Sequence, residues 1–143
     1  MNKSPLVIQR VLSATPEEAF TAWTEPTSLS VWMCPAPGVT APVVEIDLRV
    51  GGEFRIDMKG EQGVSVHTGR YREITPPSRL VFTWRSSATK NRDTLVTVEL
   101  TAHSRGVELT LTHVDLPDAQ SQAEHRSGWT HILESLADWL KTA

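Results

Sequence analysis

The five histidines are the side chains best able to exchange protons near neutral pH. His113 ends the alternation Val107, Leu109, Leu111 in GVELTLTH and so shares the inward face of that strand. His125 falls on the apolar face of HRSGWTHILESLADWL, which has a helical period. Together with Asp115 the two could form a polar cluster that orients a ligand or moves a proton. The alternative is that both rings are satisfied by backbone and neighbouring hydroxyls. His131 lies opposite Trp129 on the helix and is expected in solvent; His67 on a strand and His103 in a turn have no partner at ligand spacing.

Other chemistries find less support. There is no cysteine pair, no HExxH and no close histidine pair on one helical face, so no metal site is assigned. GVSVH is not a nucleophile elbow, and Cys34, between Met33 and Pro35, has no activating base in sequence; it reads as a free, partly buried thiol. Gly51-Gly52 precedes a strand rather than a helix, which excludes a phosphate-binding turn of the usual kind. Arg10 shares strand parity with Leu6, Ile8 and Leu12, so it needs a carboxylate partner or an acidic ligand group. No catalytic residue and no cofactor is assigned.

These residues must be positioned by a chain of 143 residues with 39% hydrophobic content, enough for one core and one domain over 1–143. A net charge of -3 without a basic run argues against nucleic acid and membrane surfaces as partners. MNKSPLVIQR lacks the apolar run of a signal peptide, and with one cysteine no intrachain disulfide can form. A cytoplasmic location follows as the expectation.

LVIQRVL reads as a strand, followed by a helix that Thr15 caps and Pro16 opens, with Ala19, Phe20 and Trp23 inward. A second short helix after Pro26, capped by Thr27 or Ser28, buries Leu29, Trp32 and Met33, and CPAPGVTAP is a loop. Six alternating segments follow: VVEIDLRV, GGEFRIDM, VSVHTGRYREI, RLVFTW, TLVTVELT and GVELTLTH. Their short connections require an antiparallel meander. Gly69 marks a bulge or a close approach, and SSATKNRD reads as a mobile polar loop. The last segment, capped by Asp118 or by a Ser121/Glu124 box, is an amphipathic helix of about five to six turns. Its inward face holds His125, Trp129, Ile132, Leu133, Leu136 and Leu140, with Gly128 and Trp139 at the edge. Gly128 either lets the helix pass close over the sheet or opens room for a ligand.

The motifs TPEEAFTAWTEPTSLSVWM, GGEF, GRYREITPPSRLVFTW, TLVTVEL, LTLTH and HRSGW closely resemble the START-like, SRPBCC-type helix-grip superfamily. Within it the resemblance is to bacterial relatives of the C-terminal domain of the heat-shock-protein-90 ATPase activator. It runs from about residue 6 to the chain end and is most specific from Gly69 to Trp84. The chain is read as starting at the first strand of that domain type, without the further N-terminal domain through which the eukaryotic activator makes much of its chaperone contact. WMCPAPG is read as a local variation of the loop at the cavity mouth.

The resemblance implies an α+β fold in which a curved antiparallel sheet of about seven strands wraps the C-terminal helix and leaves a cavity between them. Inward parity then gives the candidate ligand contacts Trp32, Met33, Phe54, Ile56, Met58, Tyr71, Phe82, Trp84, Val98, His113, His125 and Trp129. Five tryptophans provide flat walls suited to an aromatic or lipidic molecule. The leading function is binding of a small apolar or amphipathic ligand. A co-chaperone-like module with a chaperone partner and a stress role is the alternative, and a cavity enzyme of aromatase/cyclase or hydrolase type the second. A monomer or homodimer is expected.

Overall fold

A computed structural model describes residues 4–142; Met1–Lys3, which open the N-terminal stretch read above, and Ala143 lie outside the described residues. The elements run β1 (Leu6–Leu12), α1 (Pro16–Thr24), α2 (Pro26–Trp32), β2 (Thr40–Ile46), β3 (Glu53–Gly60), β4 (Gly63–Thr75), β5 (Arg79–Trp84), β6 (Thr94–His103), β7 (Gly106–Val114) and α3 (Ala119–Thr142). A 3-10 turn, Ser87–Thr89, joins β5 to β6. The seven strands form one curved antiparallel sheet in the order β1-β7-β6-β5-β4-β3-β2, so the meander is closed on one edge by the first strand of the chain.

Period-2 patterning decides the faces. Val96, Val98 and Leu100 of β6 and Val107, Leu109, Leu111 and His113 of β7 are buried, and each inward side chain is followed by a more exposed one. The buried face of α3 is the one the 100° wheel gives: His125, Trp129, Ile132, Leu133, Leu136 and Leu140. At 24 residues α3 is longer than five to six turns. Its start is capped by Asp118, whose carboxylate accepts from the Ser121 backbone N–H at 2.8 Å. Ser121 forms no box with Glu124; its hydroxyl donates to Ala88 O at 2.6 Å and ties the helix to the 3-10 turn.

α1 opens with the Thr15/Glu18 capping box. α2 does not start at Thr27 or Ser28: Pro26 takes the first helical position, Glu25 precedes it without a side-chain cap, and Ser28 is buried inside the helix. Strand β2 begins earlier than the proline-rich stretch suggests, at Thr40, because it is an edge strand and its register shifts between Thr40 and Val43, around Pro42. It also ends earlier, at Ile46. The alternation continues to Val50, yet residues 47–52 fold back through Gly52 N–H to Arg49 O and Gly51 N–H to Tyr71 O, leaving Leu48 and Val50 exposed.

Gly69 answers to close approach. A Cβ there would lie 1.9 Å from Thr83 O and 2.6 Å from the Phe54 ring, while the register shift comes later, between Tyr71 and Glu73. The segment 86–93 is not a loose loop. Ser86 and Thr89 are buried and cap each other, and Thr89 Oγ1 bonds both the Ser86 and Arg92 carbonyls. Arg10 pairs with Glu134 of α3 at 3.6 Å; both side chains are partly exposed, so the pair contributes little.

Candidate functional site

The sheet and helices enclose an aromatic interior. Trp23 and Trp32 meet edge-on at 4.7 Å, Phe54 meets both Tyr71 and Phe82 at 5.5 Å, and Trp84 meets Trp129 at 5.0 Å. These rings nearly fill the space between sheet and helix. The void they leave, lined by Met33, Phe54, Ile56, Tyr71, Phe82 and Trp84 among others, is about 20 Å³, room for one water. Burial pushes the Tyr71 hydroxyl up out of the titrating range.

The open space lies further along, where the start of α3, the loop after α2 and strands β3 and β4 diverge. There a cavity of about 280 Å³ is walled by Pro35, Val39, Met58, His67, Trp84, Ala88, His125, Gly128, Trp129 and Ile132, with Gln62, Ser65 and Glu124 toward solvent. Gly128 belongs to this opening and not to a helix–sheet crossing. A Cβ on it would meet only Pro35 Cβ, at the ordinary distance of 3.5 Å. Pro35 is held there by α3 itself: His131 donates from Nδ1 to Cys34 O at 2.7 Å, so His131 is part-buried and bonded, not free in solvent. Burial raises the Cys34 thiol and keeps it from being a ready nucleophile.

Of the residues inferred from parity, Met58, Trp84, His125 and Trp129 line this cavity; Met33, Phe54, Ile56, Tyr71 and Phe82 line the inner void with Trp84. Trp32, Val98 and His113 are buried and line neither.

His113 and His125 do meet, ring to ring at 5.0 Å and nearly perpendicular. Asp115 does not join them; it is exposed at a positive φ of 70°. The Trp129 indole N–H donates to His113 Nδ1 at 3.0 Å, so the His113 proton resides on Nε2. Nε2 in turn donates to Thr94 Oγ1 at 2.7 Å, and the Thr94 hydroxyl donates to Trp84 O at 2.6 Å. Both His113 nitrogens are thus committed to neutral-ring bonds. Burial, helped by nearby His125, lowers its pKa to about 3. His125 donates from Nδ1 to Ser121 O at 2.7 Å, which leaves Nε2 as an acceptor; burial lowers its pKa too.

His67 is the residue that sequence reasoning passes over. It is 8% exposed, its ring lies 5.0 Å from that of Trp84, and burial first, with His125 adding to it, pulls its pKa down to about 4. The usable signal was parity: counting back from inward Tyr71 gives Gly69, His67 and Ser65, small or polar residues where the sheet faces open space.

A larger open depression of about 900 Å³ lies by the 47–52 turn, but its walls are charged and largely self-paired through Arg49–Asp47, Arg70–Glu53 and Arg85–Asp93. It offers an apolar molecule little to bury against. Among the described residues no group of His, Cys, Asp and Glu could hold a metal ion, and no helix is long and apolar enough to cross a membrane.

A curved seven-stranded antiparallel sheet gripping a long C-terminal helix, with two short helices between the first two strands, defines the START-like helix-grip class. The model of the family described as Activator of Hsp90 ATPase homolog 1-like protein matches residues 13–141, and the chain belongs to that family. Among solved structures, protein CV1439 from Chromobacterium violaceum is 30% identical with a TM-score of 0.86, over 95% of this chain and 96% of that one. The AHSA1 protein of Silicibacter pomeroyi is 26% identical with a TM-score of 0.83, over 97% and 99%. Protein NE0264 from Nitrosomonas europaea is 27% identical with a TM-score of 0.81, over 96% and 94%. No curated protein matches the sequence. Family and fold together suggest a ligand-binding or Hsp90-activator-like domain.

Proposed function

We propose that the chain binds a small apolar or amphipathic molecule in the cavity between β3, β4 and the first half of α3. One observation carries this reading: the helix keeps a glycine, Gly128, at the cavity wall where a Cβ would fit without a clash. Glycine inside a helix costs about 1 kcal/mol relative to alanine. Packing does not require it there, so the open volume beside it is the feature that the residue serves. The walls are chiefly aliphatic and aromatic, with few polar groups, as small-molecule sites are.

Two substitutions separate this from a purely structural role. Gly128→Ala is expected to raise stability by about 1 kcal/mol, read as a higher melting temperature. Gly128→Leu is expected to fill the cavity, so that a neutral fluorescent probe, N-phenyl-1-naphthylamine, binds at least about tenfold more weakly while far-UV circular dichroism is unchanged. Wild-type affinity in a folded Gly128→Leu variant would place the probe elsewhere.

A further inference from the structure

The rim of the cavity carries an acid that no cation meets. Glu124 lines the cavity one helical turn before Gly128, on the same side of α3, and is exposed there. Among the described residues no lysine, arginine or histidine lies within ion-pairing distance of its carboxylate. Its helical neighbours three and four residues away are Gln120, Ser121, Ser127 and Gly128, none of them basic. The cations nearest in the chain are directed elsewhere. Lys90 and Arg92, just past the lining residue Ala88, face Asp118, Lys90 at 2.7 Å. Lys59, between Met58 and Gly60, has the outward parity of β3, and Arg126, two residues after Glu124, leaves the helix on another side.

The rest of the lining holds no positive charge. It contains no lysine or arginine, and its neutral polar side chains Gln62 and Ser65 can donate or accept, so they do not discriminate by sign. The Trp129 N–H is committed to His113, and the Trp84 N–H is sealed from water. His125 donates from Nδ1 to Ser121 O, which leaves its other nitrogen to accept. Burial lowers the pKa of both His125 and His67, so neither ring supplies a cation at neutral pH. A carboxylate would enter past an acid and find no partner for its charge. An ammonium group would have that acid as its partner and meet no like charge, while an apolar body behind it lay against Met58, Trp129 and Ile132.

Resting on the reading of this cavity as a ligand site, we infer that it selects amphipathic amines, molecules whose compact apolar body fills the space beside Gly128 and whose ammonium group is held at the mouth by Glu124.

Three matched probes test this by isothermal titration calorimetry at neutral pH: 2-naphthylmethylammonium, 2-naphthylmethanol and 2-naphthoate. At about 0.01 M ionic strength the ammonium probe is expected to bind about threefold more tightly than the alcohol and about tenfold more tightly than the carboxylate, the range of a rim ion pair and its like-charge counterpart. Both preferences should shrink to about twofold or less at about 1 M salt, where exposed charges are screened. Glu124→Gln should have the same effect at low salt with alcohol binding unchanged, and because the side chain is exposed the variant keeps the fold. Glu108→Gln removes an equal charge from the outer face of β7 and should leave the preferences as in wild type. Gly128→Leu should weaken all three probes about tenfold. The inference is overturned if the alcohol binds but the ammonium probe binds no better than the carboxylate, if Glu124→Gln keeps the full preference, or if Glu108→Gln abolishes it equally. It is also overturned if folded Gly128→Leu binds the ammonium probe as wild type does. In each case the apolar ligand site stands provided that Gly128→Leu weakens the alcohol. If none of the three probes binds wild type, the ligand site itself is overturned as well.

Discussion

Replacing Trp129 with alanine is expected to lower unfolding stability by about 3–5 kcal/mol, the usual cost of deleting a buried tryptophan. Three features set that size. The side chain is 2% exposed; its ring packs on Trp84 at 5.0 Å and on Trp23 at 6.3 Å; and its N–H is the donor to His113 Nδ1. The alanine variant loses the apolar burial and leaves a fully buried imidazole nitrogen unpaired. Trp129→Phe separates the two contributions, because it keeps most of the apolar bulk and removes only the donor; it should cost about 1–3 kcal/mol. Urea unfolding of the three proteins checks both values. A Trp129→Ala variant as stable as wild type would mean that α3 is not anchored on the sheet through this ring.

Acid should destabilise the domain early. His113 and His67 are buried as neutral rings with pKa values lowered to about 3 and about 4, against 6.5 for an unhindered histidine. Between pH 7 and pH 5 the unfolded chain takes up a proton at each position and the folded chain takes up almost none, so acidification favours unfolding. The stabilisation is fully present above pH 6.5 and is lost progressively as the pH falls toward the folded-state values. By linkage each ring costs about 2 kcal/mol over that interval, about 4 kcal/mol together. That is a large share of the 5–15 kcal/mol typical of a native domain. Urea titrations at pH 7 and pH 5 should give parallel slopes with the midpoint moved to lower urea at pH 5. Equal midpoints would show that both rings are solvated or already paired with acids.

What the sequence makes legible, and what it does not, follows from which physical constraint acted on each residue. Strands β6 and β7 could be read almost residue by residue because one face packs against the helix layer, so Val96 through Leu100 and Val107 through His113 alternate without interruption. The same holds for the inward stripe of α3. Past Ile46 the pattern misleads, since Leu48 and Val50 keep strand-like parity in a segment that has turned back on itself. The stretch 86–93 is polar because its hydroxyls bond its own backbone, a kind of order that composition alone does not distinguish from mobility. In β4 the outward Val64 and Val66 are exposed while inward Ser65, His67 and Gly69 are small or polar, so the usual sign of the pattern is reversed along the cavity wall. That reversal is why His67 escapes a search for apolar stripes. The meeting of His113 and His125 was accessible from parity and helical phase together. Their hydrogen bonds were not, because Thr94 and Trp129 reach His113 from two other elements.

Occupation of the space beside Gly128 by a small apolar molecule is tested most directly by intermolecular nuclear Overhauser effects in the complex with N-phenyl-1-naphthylamine. Contacts are expected from the naphthyl ring protons to the Met58 and Ile132 methyl groups and to the indole protons of Trp129. Contacts confined to the charged depression around Arg49, Arg70 and Asp93, or to the rings that close the inner void around Phe54 and Tyr71, would contradict it.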